Sequence, residues 1–198
     1  MAAHLERRYT LEEYLELDRT AEERFEFWQG EVFCMSGVSE AHAEIEINLT
    51  VALRYRLSGR KCRIFPAIIR IKVPTAPPYR YADLSALCGE AQFETIGGVD
   101  ALTNPALLVE VLSPSTESYD RDEKFARYKS IPNLREYLLV AQDRPFVTQL
   151  VKRDDGEWLY RDFYALESLV KLESLDCEIT LREIYQNVAF ATPTDSAT

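Results

Sequence analysis

Glu110 stands inside Leu107-Leu-Val-Glu-Val-Leu112, an otherwise unbroken apolar run in a chain of 198 residues. A carboxylate buried there without a partner would cost several kcal/mol, so a lysine, an arginine or a cation is expected against it. A buried ion pair between two strands would satisfy that need, and so would a reactive centre. Asp83, in Tyr79-Arg-Tyr-Ala-Asp-Leu-Ser-Ala-Leu87, stands where another strand-like run begins, a place that equally suits a turn or capping aspartate. Asp120 and Lys124 are four residues apart on the helix expected after the Glu110 strand, and so share one face of it. They could form a surface pair, or the helix could return Lys124 over Glu110 and Asp83. An Asp and a Glu on neighbouring strands, with a lysine beside them, make a hard-oxygen site for a divalent cation that keeps several waters, above all Mg²⁺, with Mn²⁺ as a substitute. Such an ion orients a phosphodiester, neutralises its charge and acidifies a bound water. The lysine positions or helps deprotonate that water and stabilises the pentacovalent state. This is metal-assisted phosphodiester hydrolysis.

Other chemistries find little support. The two histidines, His4 in the N-terminal segment and His42 at the start of the long helix, argue against histidine-based triads and two-histidine metal centres. No Gly-x-Ser-x-Gly elbow and no phosphate loop ending in Gly-Lys-Ser/Thr is present. Cys34, Cys62, Cys88 and Cys177 are far apart and show no paired metal-ligand spacing, so buried thiols are expected and neither a disulfide framework nor a zinc site.

The elements that must position these groups follow from periodicity and caps. Thr10 with Glu13 forms a capping box for a helix through about Asp18. Residues 24–35 alternate about Gln29-Gly30 and predict a hairpin, and Ser39 caps a long helix ending near Ser58-Gly59. Residues 61–73 predict one strand with Ile69, Ile71 and Val73 on one side and Arg70 and Lys72 on the other. Residues 81–88 predict the next, and a loop containing Gly97-Gly98 leads to 106–112, a central strand covered on both faces. A helix over 120–129, strands over 136–140, 146–151 and 158–164, and a helix capped by Thr180 and Glu183 complete the outline. The pattern is α/β, read as one domain over 1–190 followed by a loose tail, 191–198.

No window approaches the length of a membrane span, and the N-terminus turns charged before any signal-peptide apolar region, so a soluble cytoplasmic protein without a membrane partner is expected. The net charge of -10 argues at first against a nucleic-acid partner. It is unevenly spread. Residues 1–50 carry -8, residues 81–198 carry -10, and residues 51–80 carry +8 with no acidic side chain. That block, Arg54, Arg56, Arg60, Lys61, Arg63, Arg70, Lys72 and Arg80, lies immediately before Asp83. It would face DNA if the fold gathered it, with Arg70, Lys72 and Arg80 as the contacts, and would otherwise be a set of solvated faces.

Several segments together resemble a known family. They are the hairpin Arg24 to Phe33, His42 before the long helix, Tyr81-x-Asp83, Val109-Glu-Val-Leu-Ser-Pro-Ser-Thr116, Tyr119-Asp-Arg-Asp-Glu-Lys124 and Tyr128. This combination resembles the Uma2 family of restriction-endonuclease-like proteins, over roughly residues 9–190. The resemblance implies the PD-(D/E)xK nuclease fold, a restriction-endonuclease-like mixed β-sheet flanked by helices. It implies a Mg²⁺-dependent DNA endonuclease in which Asp83 and Glu110 hold the metal and Lys124 is the motif lysine. Ala82 replaces the proline before the motif aspartate, and Leu112 stands where the superfamily lysine would be, so the lysine must come from the helix. Glu26 matches the hairpin acid of the family, as a further ligand or a structural partner. His42 is either adjacent to the site or a helix-start hydrogen bonder, and Asp120 is a further candidate. The resemblance also implies a homodimer, since cutting both strands of a duplex with one site per chain benefits from two chains. The alternative is a non-catalytic nucleic-acid-binding or interaction module on a nuclease-like fold.

Overall fold

The computed structural model describes residues 7–190 apart from Gln29, Ser36, Ala76, Gly97 and Ser115. The tail over 191–198 and His4 lie outside these residues. Helix α1 (Leu11–Thr20) carries the Thr10–Glu13 capping box, and the hairpin follows as β1 (Phe25–Trp28) and β2 (Glu31–Cys34). Helix α2 (Glu40–Arg56) starts on Ser39, whose hydroxyl accepts the His42 N–H. Its Ile45, Leu49, Ala52 and Leu53 are buried, at the spacing expected of an amphipathic helix.

A six-stranded mixed sheet forms the centre. Its members are β3 (Cys62–Pro66), β6 (Leu84–Cys88), β9 (Leu107–Leu112), β10 (Glu136–Ala141), β11 (Val147–Lys152) and β12 (Trp158–Phe163), in the order β12-β11-β10-β9-β6-β3. Only β9 and β10 run parallel, and both are buried along their whole length, as the continuous apolar runs require. Between them in sequence lies helix α3. It comprises Glu117–Tyr119, a π-helical turn over Asp120–Lys124, and Phe125–Tyr128. One face of the sheet packs on α2 and the C-terminal elements; the other packs on α3, with Phe125 stacked on Tyr137 at 5.4 Å. The mixed α/β architecture expected from the sequence is therefore present.

Several expectations change. The run 61–73 is two strands in two sheets, β3 and β4 (Arg70–Lys72), because a turn closed by the Ile69 N–H on the Pro66 carbonyl breaks it. The run 81–88 divides likewise into β5 (Tyr79–Tyr81) and β6, with Ala82 and Asp83 at the break. The segment around Gly98 is a hairpin, β7 (Phe93–Ile96) with β8 (Val99–Leu102), and these strands form a second sheet of order β5-β4-β8-β7. The hairpin β13 (Leu169–Leu172) and β14 (Cys177–Thr180) leads into the short α4 (Leu181–Ile184), whose Thr180–Glu183 capping box forms as expected. The cysteines also depart from expectation: antiparallel pairing sets Cys62 opposite Cys88, and the two form a disulfide, while Cys34 and Cys177 are free. A separation of 26 residues in sequence hid a cross-strand pair.

The second sheet is tied to α1 by a buried charge. Asp18 accepts hydrogen bonds from Arg70, from the Tyr79 and Tyr81 hydroxyls at 2.9 Å each, and from the Phe25 N–H at 3.0 Å. Arg70 lies over the Tyr79 ring at 4.3 Å and donates to the Ile96 carbonyl. Removing one partner of such a pair leaves the other buried and uncompensated. Asp18→Ala is expected to cost about 3–5 kcal/mol in urea unfolding. A cost below about 1 kcal/mol, the range of an exposed pair, would show that this network is not what joins α1 to the second sheet.

Candidate active site

The central sheet and α3 bring Glu110 and Lys124 together. Glu110 is carried inward by β9, and the π turn places Lys124 over it, with the ammonium 2.9 Å from Glu110 Oε2. The same ammonium lies 3.5 Å from Asp120 Oδ1 and 3.6 Å from Glu26 Oε1, which enters from the β1 side. All four side chains are buried, Lys124 to 2% exposure. The Tyr128 hydroxyl donates to Glu110 Oε1 at 3.1 Å, and the Tyr81 N–H donates to Glu26 Oε1 at 3.0 Å. The Tyr137 hydroxyl donates to the Asp120 backbone carbonyl.

Three carboxylates around one ammonium set the protonation states. Burial opposes the Lys124 charge, but Glu110, Glu26 and Asp120 outweigh it and hold the amine well above its ordinary value. Burial pushes Glu110 well up, against the attraction of Lys124 and with the repulsion of Asp83 and Asp120. Burial likewise pushes Asp120 up to about 6, opposed by Lys124 and by a hydrogen bond from Thr116. Lys124 is thus an ammonium at neutral pH, a group that stabilises negative charge and does not accept a proton.

Asp83 sits next to this cluster with different partners. The Val111 N–H, one residue beyond Glu110, donates to Asp83 Oδ2 at 2.7 Å. Asp83 Oδ1 faces His42 Nε2 at 3.5 Å, and Glu46, one turn along α2, lies 3.8 Å from the same nitrogen. Burial works to raise the Asp83 carboxyl, but His42, Lys124 and the Val111 N–H more than offset it and leave it below the usual aspartate value. Burial works to lower His42, and the two carboxylates overcome this, raising the imidazole to about 9. Asp83 and Glu46 line a cleft of about 420 Å³ with Arg24, Ile47, Thr50, Pro66, Ala67 and Ile68.

This corner has the donors a divalent cation needs. Ligand atoms of His42, Glu46 and Asp83 all lie within 4.8 Å of one another. His42 Nε2 is buried and makes no hydrogen bond, with both carboxylates just beyond hydrogen-bond length. Two carboxylate oxygens suit Mg²⁺, and the imidazole suits Mn²⁺ better. Glu110, with both oxygens already bonded to Lys124 and Tyr128, is adjacent to this corner through the Val111 N–H.

Of the sequence-derived candidates, Glu26, Glu110, Asp120 and Lys124 converge, and Asp83 pairs with His42 beside them. Glu46 and Arg24 were not anticipated. The i, i+4 spacing of His42 and Glu46 on one helix was the available signal; for Arg24 there was none, because only folding brings the hairpin to the cleft. Several members of the basic block are engaged separately. Arg70 is buried against Asp18, which removes it from the DNA contacts, and Lys72 pairs with Glu94 at 2.8 Å. Arg80 is buried, donating to the Tyr79 carbonyl, with Nε and Nη2 lacking hydrogen-bond partners. Arg56 binds Glu183 at 2.6 Å, and Arg63 lies over the Phe65 ring.

The central mixed sheet flanked by helices is a nuclease-like α/β fold. The chain belongs to the family described as "Uma2: Putative restriction endonuclease", which matches residues 11–183. It is 34% identical over 179 residues to the uncharacterised protein slr1290 of Synechocystis sp. (strain ATCC 27184 / PCC 6803 / Kazusa), covering 90% of this chain and 92% of that protein. It is 36% identical over 150 residues to sll1609 of the same organism, also uncharacterised, covering 76% and 84%. Its fold is similar to the crystal structure of "a putative nuclease belonging to DUF820" from Anabaena variabilis ATCC 29413, with a TM-score of 0.70, 17% identity, and coverage of 89% and 97%. Among the described residues no helix is long and apolar enough to cross a membrane.

The His42 environment sets a pH dependence in metal-free protein. Its folded value, about 9, lies above the ordinary 6.5, so protonated His42 adds stability that is complete below about pH 6.5 and is lost as pH rises through about 9. Urea unfolding in EDTA at about pH 6 and about pH 9.5 should show wild type losing up to about 3 kcal/mol more than His42→Gln. Equal losses would mean that the imidazole is not charged between Asp83 and Glu46.

Proposed function

We propose that this protein is a divalent-cation-dependent DNA endonuclease acting as a homodimer. The observation that carries this reading is the buried Glu110–Lys124 pair at 2.9 Å, set beside Asp83 at the rim of an acidic cleft. The family description and the nuclease-like fold support it.

Asp83 and Glu110 are the acids of the motif, and Glu46 and His42 are further donors on the Asp83 side. A bound Mg²⁺ or Mn²⁺ would supply a Lewis acid for a phosphodiester oxygen and an acidified water. The remaining work falls to side chains of this chain. Lys124, held charged by its carboxylates, stabilises charge that develops on the phosphoryl oxygens. Tyr128 and the Val111 N–H hold Glu110 and Asp83 in place. Arg24 at the cleft mouth is the cation positioned to meet a phosphate, and Glu26 and Asp120 keep Lys124 protonated and centred.

One observation favours the alternative of a non-catalytic nucleic-acid-binding module: both Glu110 oxygens are occupied by protein donors. A supercoiled plasmid incubated with Mg²⁺ or Mn²⁺ separates the two. Nicking by wild type should fall at least about a hundredfold in Asp83→Ala and in Lys124→Ala, in keeping with loss of a preorganised electrostatic group. Equal nicking by all three proteins would place the activity elsewhere. DNA retention that is unchanged by EDTA, with no nicking by wild type, would establish the binding module.

A further inference from the structure

The outer face of α2 is apolar where a solvated helix would be charged. Ile47, Val51 and Tyr55 recur every four residues and are 58%, 63% and 81% exposed, while the opposite face, Ile45, Leu49 and Leu53, fills the core. Ile68, 66% exposed, lies beside Ile47 at the rim of the cleft. An apolar stripe of this kind marks an interaction surface.

Its flanks indicate what covers it. Glu44, Ile47, Val51 and Arg54 follow the alternating three- and four-residue spacing of a helix–helix seam. Glu44 and Arg54 make no ion pair among the described residues, although Arg54 is exposed and Glu44 half-exposed on this same face. The helix is also polar end to end, with Glu40, Glu44 and Glu46 in its first half and Arg54 and Arg56 in its last turn. Laid antiparallel on a second copy of itself, this seam is self-complementary. Ile47 meets Val51 of the other copy, and Glu44 meets Arg54, each contact occurring twice about a two-fold axis. A parallel pairing would oppose like charges instead.

We infer that two copies of this chain associate through the outer faces of their α2 helices, packed antiparallel with Ile47–Val51 and Glu44–Arg54 as the paired layers. Ile47 also lines the cleft that holds Asp83 and Glu46, so the interface borders both clefts. The inference gives a surface to the dimer in the functional reading above but does not depend on nuclease activity, and its test reads oligomeric state alone.

Sedimentation equilibrium over a wide concentration range decides it, with thermal melts confirming that each variant is folded. Wild type should dimerise, and Val51→Glu should remain monomeric at the concentrations where wild type is dimeric. Glu44→Arg and Arg54→Glu should each weaken the dimer about tenfold, because symmetry counts each like-charge contact twice. The double variant Glu44→Arg/Arg54→Glu should return to wild-type affinity, since the swap restores both contacts only between two copies of this chain. A monomeric wild type, a dimer that survives Val51→Glu, or a double variant as weak as the single ones would overturn the inference.

Discussion

A single buried ammonium organises this protein. Lys124 is the cation against which Glu26, Glu110 and Asp120 are placed, each on a different element: the first hairpin, the central strand β9 and the π turn itself. Charges so far from water persist only when paired, and here the pairing is shared. The arrangement is cooperative in space. Glu26 also accepts the Tyr81 N–H, so the hairpin is held against β5, two residues from Asp83. The Val111 N–H ties Asp83 to the strand that carries Glu110. Displacement of the lysine would leave three carboxylates to be neutralised by protonation, the direction in which burial already pushes Asp120 and Glu110.

Not every buried charge here has the same meaning. Glu136 begins the strand beside β9 and is fully buried, yet its oxygens accept hydrogen bonds from Gln149, the Glu173 N–H, and the N–H and hydroxyl of Ser174. That carboxylate fastens the turn between β13 and β14 to the sheet. Asp18, closed in by Arg70, two tyrosines and a backbone N–H, similarly joins α1 to the second sheet. The Asp83 corner differs, because its carboxylate is only partly buried, opens to a cleft, and faces a histidine nitrogen without a hydrogen bond. Glu136 and Asp18 join elements of the fold, whereas Asp83 is held next to a cleft with an imidazole nitrogen and a second carboxylate beside it.

The electrostatics of the molecule are local. A +8 block precedes Asp83 in sequence, but its members are spent on separate tasks: Arg70 within the Asp18 network, Arg56 on Glu183, Lys72 on Glu94. Three of its cations are thus paired with carboxylates inside a chain whose net charge is -10. At the cleft, Arg24 stands beside the carboxylates of Asp83 and Glu46.

Much of this was legible from the chain alone, for reasons of local physics. Capping boxes at Thr10 and Thr180, the alternation around Gly30 and the apolar run around Glu110 are satisfied within a few residues, so they survive in any fold. A glutamate inside a buried strand required a partner, and Lys124 supplied it one helix later. What escaped depended on contacts between distant segments. The strand over 61–73 divides because its two halves pair with different sheets, and Cys62 meets Cys88 only once β3 and β6 are in register. Arg70 reads as a surface cation until Asp18 is brought to it. Glu46 and Arg24 become part of the cleft only when α2 and the first hairpin close around Asp83. Residue types and local spacing thus determined the chemistry that is possible, whereas packing decided which charges were consumed in holding the fold and which were left facing the cleft. Coulombic and hydrogen-bond energies depend on distance in space, and sequence separation carries little of that information.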